Sequence, residues 1–219
     1  MKLLMNKDTD TRHQRILVID DNRAIHDDFR KIFVSCSASE SALSKADAAL
    51  FDQPLDETGA REFQIDSAYQ GEEGLALVQQ AREENRPYSM AFVDVRMPPG
   101  WDGIETTSRI WKIDPEMQIV ICTAYSDYSW NDMVARLPRP DQLLILKKPF
   151  DTAEVLQMGH ALTEKWRLQA AAKFNLSFLQ CNVDARTRVV EAENAKLQAE
   201  IKRLAEALRE SESRSPQLA

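Results

Sequence analysis

Residues 16–19 (ILVI) and 119–122 (IVIC) are apolar at every position. A half-exposed strand alternates apolar and polar residues, whereas an unbroken apolar run has both faces covered, as in a parallel strand between helical layers. Strand-like segments recur at RILVI (15–19), FQIDSAY (63–69), YSMAFV (88–93), MQIVIC (117–122) and QLLILK (142–147). Helical patterns fall between them, at roughly 22–35, 71–84, 103–113 and 127–136. Alternating β and α segments predict an α/β fold: a doubly wound five-stranded parallel sheet with crossovers of one hand. A ligand site in such a sheet lies beyond the carboxyl ends of the strands.

Two stretches exceed this minimal plan. Residues 36–61 (CSASESALSKADAALFDQPLDETGAR) are rich in Ser, Ala and Asp and read as a surface insertion with a short helical candidate near 41–51. After Asp151 there is no proline until Pro216 and Gly159 is the sole glycine, which predicts one long helix from 152 to about 210. The expected organisation is a disordered extension (1–13), a first domain (14–151), the long helix (152–210) and a disordered tail (211–219).

Composition narrows the function. The formal net charge is −7, and residues 151–219 hold ten acids and ten bases, so the acidic excess lies in residues 1–150. This is not the basic footprint of a direct DNA-binding protein. The three cysteines are odd in number and lack a CxxC pairing, which argues against a disulfide framework or a zinc site. The N-terminal apolar stretch is too short for a signal peptide, and no run of about 18 apolar residues predicts membrane insertion. The expected location is the cytoplasm.

The strand ends carry the chemistry. The first is followed by Asp20 and Asp21, the third by Asp94, the fourth by Thr123 and the fifth by Lys148 before Pro149. In a parallel sheet these ends share one edge, so three carboxylates, a hydroxyl and an ammonium converge. Crowded carboxylates call for a hard cation, and oxygen ligands suit Mg²⁺. A carboxylate nucleophile with fixed positive and donor groups is what phosphoryl transfer requires. Asp102, before Gly103, reads as a helix N-cap, and Lys147 as a solvated side chain.

ILVIDDN, FVDVRMPPGWDG, ICTA and LKKPF, in this order, resemble the receiver domain of two-component response regulators over roughly residues 14–150. The resemblance implies a flavodoxin-like sheet of order 2-1-3-4-5. It implies Asp94 as phosphoacceptor from a sensor histidine kinase or phosphotransfer protein, with Lys148 pairing a phosphoryl oxygen and Thr123 hydrogen-bonding it. Mg²⁺ would be held by Asp20 (through water), Asp21, Asp94 and the backbone carbonyl of Arg96, and the Lys148–Pro149 bond would be cis. Three features depart from the family. The MPPGWDG loop is one residue longer than usual, putting donor access in doubt. Arg96 and Tyr125 are large at positions that tune phosphoryl lifetime, which predicts slow turnover where they shield the site. Ile145 replaces the usual aromatic switch, leaving Tyr125, Tyr128 or Trp130 to carry any coupling to the fourth helix.

The long helix carries a heptad. Val155, Leu162, Leu176, Val183, Val190, Leu197 and Leu204 share one set of positions, with Gln169 its polar member. The companion set is Gly159, Trp166, Lys173, Gln180, Thr187, Asn194, Ile201 and Leu208. Residues 152–165 suit packing on the receiver; beyond about residue 170 a dimerising coiled coil is expected, with Asn194 fixing register and Arg186 and Glu191 able to pair between parallel chains. The expected protein is a phosphorylatable relay and dimer rather than an enzyme. Its rivals are a receiver-like scaffold that is never phosphorylated, and a Mg²⁺-dependent aspartyl phosphohydrolase, whose DxDxT arrangement VIDDNRA does not supply.

Overall fold

The structure, a computed structural model, describes residues 13–34, 62–124, 133 and 135–214. Five strands run β1 (His13–Ile19), β2 (Glu62–Ala68), β3 (Met90–Asp94), β4 (Gln118–Thr123) and β5 (Leu143–Lys147). All pair in parallel, in the order β2-β1-β3-β4-β5, as expected from the resemblance. Helices follow as α1 (residues 23–34), α2 (Gly71–Glu83), α3 (Gly103–Ile113) and α4 (Thr152–Arg214). Met133, Ala135 and Arg136 are helical too, inside the expected 127–136 segment. The rest of that segment, including Tyr128 and Trp130, lies outside the described residues, as do Tyr125 and the 36–61 insertion.

The unbroken apolar runs are buried as their pattern requires. Every residue of β3 and β4 is buried, and successive residues feed opposite faces. Leu17, Ile19, Ala91, Val93, Ile119 and Ile121 join one core cluster with Val78 and Ala81 of α2 and Ile104, Ile110 and Trp111 of α3. Ile16, Val18, Met90, Phe92, Val120 and Cys122 join the other, with Phe29 and Phe33 of α1 and Val155 and Leu162 of α4. Ile145, where the family has its switch aromatic, packs partly buried against the first cluster.

Local signals set the helix ends. Asp102 caps α3 as expected, its Oδ1 accepting from the Glu105 amide at 2.7 Å. α2 ends in a Schellman turn: Asn85 has φ 56°, the Arg86 amide reaches the Ala81 carbonyl at 2.8 Å, and the Asn85 amide reaches Arg82 at 3.1 Å. Asp151 begins α4 by accepting from the Ala153 amide at 2.7 Å. The Lys148–Pro149 bond is cis, as the resemblance implied, and so is Pro98–Pro99.

The chain divides into two compact units, Met1–Leu168 and Gln169–Ala219. The first turns of α4 belong to the first unit, where Gly159 leaves room for the Phe33 ring; a Cβ there would lie 2.5 Å from Phe33 Cε1. In the second unit, every side chain from residue 171 to 210 is exposed. The helix reaches Arg214, four residues beyond the expected end at 210, so the tail expected to be disordered begins as helix; residues 215–219 lie outside the described set.

Candidate functional site: a carboxylate cluster at the strand edge

β1 and β3 are neighbours in the sheet, so the acids that end them meet. Asp20, Asp21 and Asp94 each offer a carboxylate oxygen, and these oxygens all lie within 4.8 Å of one another. Asp20 and Asp94 are buried, at 2% and 9% exposure, whereas Asp21 is exposed. Lys148 arrives from the end of β5, and its Nζ donates to Asp20 Oδ2 and Asp94 Oδ1, both at 2.7 Å. The neighbouring Lys147 points out to an exposed position.

The backbone holds these groups in place. The Asn22 amide donates to Asp20 Oδ1 at 2.8 Å, and the Arg96 amide to Asp94 Oδ2 at 3.1 Å. The Lys148 amide donates to the Thr123 carbonyl at 2.8 Å, tying the lysine to the end of β4. Thr123 stands one residue beyond Cys122, the register partner of Asp94; it is buried, and its hydroxyl donates to the Ala124 carbonyl at 2.8 Å. The Arg96 side chain is exposed, and Tyr125 lies outside the described residues.

The electrostatics follow from burial. Loss of water around Asp94, with help from the Asp20 charge, raises its pKa above the usual carboxylate value, and the Lys148 hydrogen bond only partly offsets this. For Lys148 burial alone would favour the neutral amine. Hydrogen bonds and charge from Asp20 and Asp94 outweigh it, so the ammonium is held more firmly than usual. One ammonium against three carboxylates leaves an excess of negative charge among hard oxygen donors. That donor set fits Mg²⁺.

Two supports were not legible in the sequence. His26 is buried on α1, and its Nε2 donates to the Asp20 backbone carbonyl at 2.7 Å, fixing the turn that carries the acids. Its distance of six residues from Asp20 gave no motif to recognise. Gly103 lies so close to β3 that a Cβ would stand 2.3 Å from the Asp94 carbonyl oxygen. The long MPPGWDG loop is anchored at both ends: Gln70 Nε2 donates to the Pro98 carbonyl at 3.4 Å, and the Arg109 guanidinium lies 3.8 Å from the Trp101 ring centroid.

The comparisons with known proteins agree with this geometry. A family profile described as the response regulator receiver domain matches residues 48–159, beginning after Asp20 and Asp21. Sporulation initiation phosphotransferase F of Bacillus subtilis is 29% identical over 106 residues, covering 48% of this chain and 76% of that protein. Among solved structures, the adenylate cyclase from Rhodopirellula baltica aligns with a TM-score of 0.53 at 19% identity, over 75% of this chain and 98% of that one. A response regulator receiver domain protein from Clostridium thermocellum aligns at 0.50 and 19%, over 71% and 98%. At such identities the structures speak for the fold alone. The family match spans half of the chain, the sheet order is the receiver's, and the acid cluster stands at the expected strand edge; the chain belongs to the response regulator receiver domain family, which serves two-component phosphorelays.

Proposed function

We propose that Asp94 is the phosphoacceptor of this receiver, taking a phosphoryl group from a phosphohistidine on a sensor histidine kinase or phosphotransfer protein. A carboxylate oxygen of Asp94 attacks phosphorus, the phosphorus–nitrogen bond to the donor histidine breaks, and an acyl phosphate forms on Asp94. Mg²⁺, held by Asp20, Asp21, Asp94 and the Arg96 carbonyl, would neutralise charge on the transferring group. Lys148 gives up its bond to Asp94 and pairs with a phosphoryl oxygen. The Thr123 hydroxyl exchanges the Ala124 carbonyl for another phosphoryl oxygen. The protein is a relay rather than an enzyme with an external substrate.

The observation that carries this reading is the single lysine bridging Asp20 and Asp94 at 2.7 Å to each. A merely structural ion pair needs one acid; here one cation serves two buried ones beside a third carboxylate. The test is intact mass after incubation with acetyl phosphate and Mg²⁺. Wild type gains one phosphoryl mass and Asp94→Asn gains none. No gain on folded wild type would leave a receiver-like scaffold that acts without phosphorylation.

The second unit supports a homodimer. Leu176, Val183, Val190, Leu197 and Leu204 repeat every seven residues and are each more than half exposed in the single chain. Ile201 and Leu208 complete the seam at its C-terminal end, also exposed. A parallel two-stranded coil would bury this row, place Asn194 inside it and bring Arg186 opposite Glu191 of the other copy. Cross-linking of wild type but not of Leu197→Glu/Leu204→Glu checks it.

A further inference from the structure

Each polar atom of Asp20 has a partner. Its amide donates to the Ala68 carbonyl at 3.1 Å, Oδ1 accepts from the Asn22 amide at 2.8 Å, and Oδ2 accepts from Lys148 Nζ at 2.7 Å. The remaining atom, the main-chain carbonyl oxygen, accepts from His26 Nε2 at 2.7 Å. Asp21 is held differently. It is exposed, and among the described residues nothing hydrogen-bonds its carboxylate. Yet one of its oxygens lies within 4.8 Å of an oxygen from each of Asp20 and Asp94. That placement has to come from the backbone.

The Asp20 carbonyl belongs to the planar peptide that joins the two acids, so fixing its direction also fixes the Asp21 nitrogen and Cα. A carbonyl oxygen only accepts, so Nε2 carries the hydrogen of this bond. His26 follows closely on the start of α1, where Asn22 caps the helix by accepting from the Ala24 amide at 3.0 Å. The imidazole is buried, and the Tyr69 ring lies against it with centroids 4.8 Å apart, which limits the rotamers open to it. Its Nδ1 is buried and has no hydrogen bond among the described residues, so the bond to Asp20 is the ring's one polar contact there. Phe29 and Phe33, further along the same helix, fill the core with apolar rings. Packing alone would be served by another such ring at position 26; instead the position carries a donor and aims it at the peptide between the acids.

We infer that His26 is a positioning residue for the Mg²⁺ site: its Nε2–H holds the Asp20–Asp21 peptide so that the Asp21 carboxylate stays beside those of Asp20 and Asp94. The inference rests on reading the cluster as a Mg²⁺ site. Without the donor, the buried carbonyl has no partner and turns to find one. The peptide plane turns with it and carries Asp21 away from Asp94. Groups that stand behind metal ligands set affinity by orienting them in this way.

The experiment is calorimetric titration of Mg²⁺ alone into the unphosphorylated full chain, with urea unfolding of each variant in chelator as a parallel measure of stability. His26→Phe keeps a ring against Tyr69 but lacks the donor. His26→Gln offers an amide N–H at nearly the reach of Nε2, whereas His26→Asn offers the same amide one methylene short. Trp111→Phe is the matched control, since it removes another ring N–H bonded to a main-chain carbonyl, that of Met117 at 2.9 Å, at the end of α3 away from the acids. His26→Phe and His26→Asn should bind Mg²⁺ about tenfold or more weakly than wild type. His26→Gln should stay close to wild type, and Trp111→Phe should lose stability without losing affinity. If His26→Phe fails to fold, the contrast between glutamine and asparagine decides. Wild-type affinity in His26→Phe or His26→Asn would overturn the inference, as would His26→Gln binding as weakly as His26→Asn. An equal loss of affinity in Trp111→Phe would also overturn it, since any weakened packing would then suffice. Folded wild type that binds no Mg²⁺ would instead overturn the reading of the cluster beneath it.

Discussion

Replacing Lys148 with methionine removes the cation that bridges Asp20 and Asp94 and keeps most of the side-chain volume. Three carboxylates within 4.8 Å then face one another without it. At the effective dielectric of about 20 that suits such sites, two unit charges 4.8 Å apart repel by roughly 3.5 kcal/mol. Asp21 is exposed and screened, so the pair that counts is Asp20 and Asp94, whose side chains are 3% and 12% exposed. Losing one partner from a buried ion pair costs about 3–5 kcal/mol, and because Lys148 is itself 25% exposed the lower part of that range applies. We therefore expect Lys148→Met to lose about 3 kcal/mol in urea unfolding with chelator present. Much of this loss should return in millimolar Mg²⁺, because a ligand that binds only the folded state adds stability by mass action. The variant should gain more from Mg²⁺ than wild type, since its carboxylates no longer share their charge with an ammonium. Adding Asp94→Asn to Lys148→Met should recover part of the loss in chelator. Equal stability of Lys148→Met and wild type without metal, or an identical Mg²⁺ increment in both, would refute this account of the cluster.

Two further outcomes follow from the packing. Gly103→Ala would press a Cβ against the Asp94 carbonyl oxygen, a backbone atom that cannot yield without moving the acid, so it should cost about 3 kcal/mol or more in thermal unfolding and abolish phosphoryl uptake by the folded fraction. The Asp66 carboxylate tests the acid limb of stability. Burial alone would raise its pKa, but hydrogen bonds from Arg15 at 2.6 Å and Tyr88 at 2.8 Å outweigh that and hold it below the usual range. Its contribution is therefore full above the unfolded carboxylate pKa of about 3.9 and is lost as pH falls through the lower folded value. The stability gap between wild type and Asp66→Asn should be widest near neutrality and shrink below about pH 4; a gap that widens on acidification would contradict this.

Much of the fold was legible because its signals are local. Non-alternating runs such as ILVI and IVIC announce strands covered on both faces. Asp102 before Gly103 announces a helix start, and its cap formed where expected. The position of the site was legible as well, because a parallel sheet places all its strand ends on one edge and Asp20, Asp21, Asp94, Thr123 and Lys148 were read from those ends. What the sequence withheld were pairings between distant residues. Lys148 reaches Asp20 across 128 positions, and Arg15 reaches Tyr88 across 73, to build a network with Asp66 that no spacing suggests. His26 behind Asp20 and the Gly103 contact with the Asp94 carbonyl belong to the same class.

The sequence by itself determined which residue types arrive at the strand ends, because hydrophobic period and chain order are properties of the chain. Only the tertiary structure decided that one lysine serves two acids at once and that burial raises the Asp94 pKa. Those outcomes depend on distances and on the exclusion of water, which exist only once β1, β3 and β5 have been set side by side.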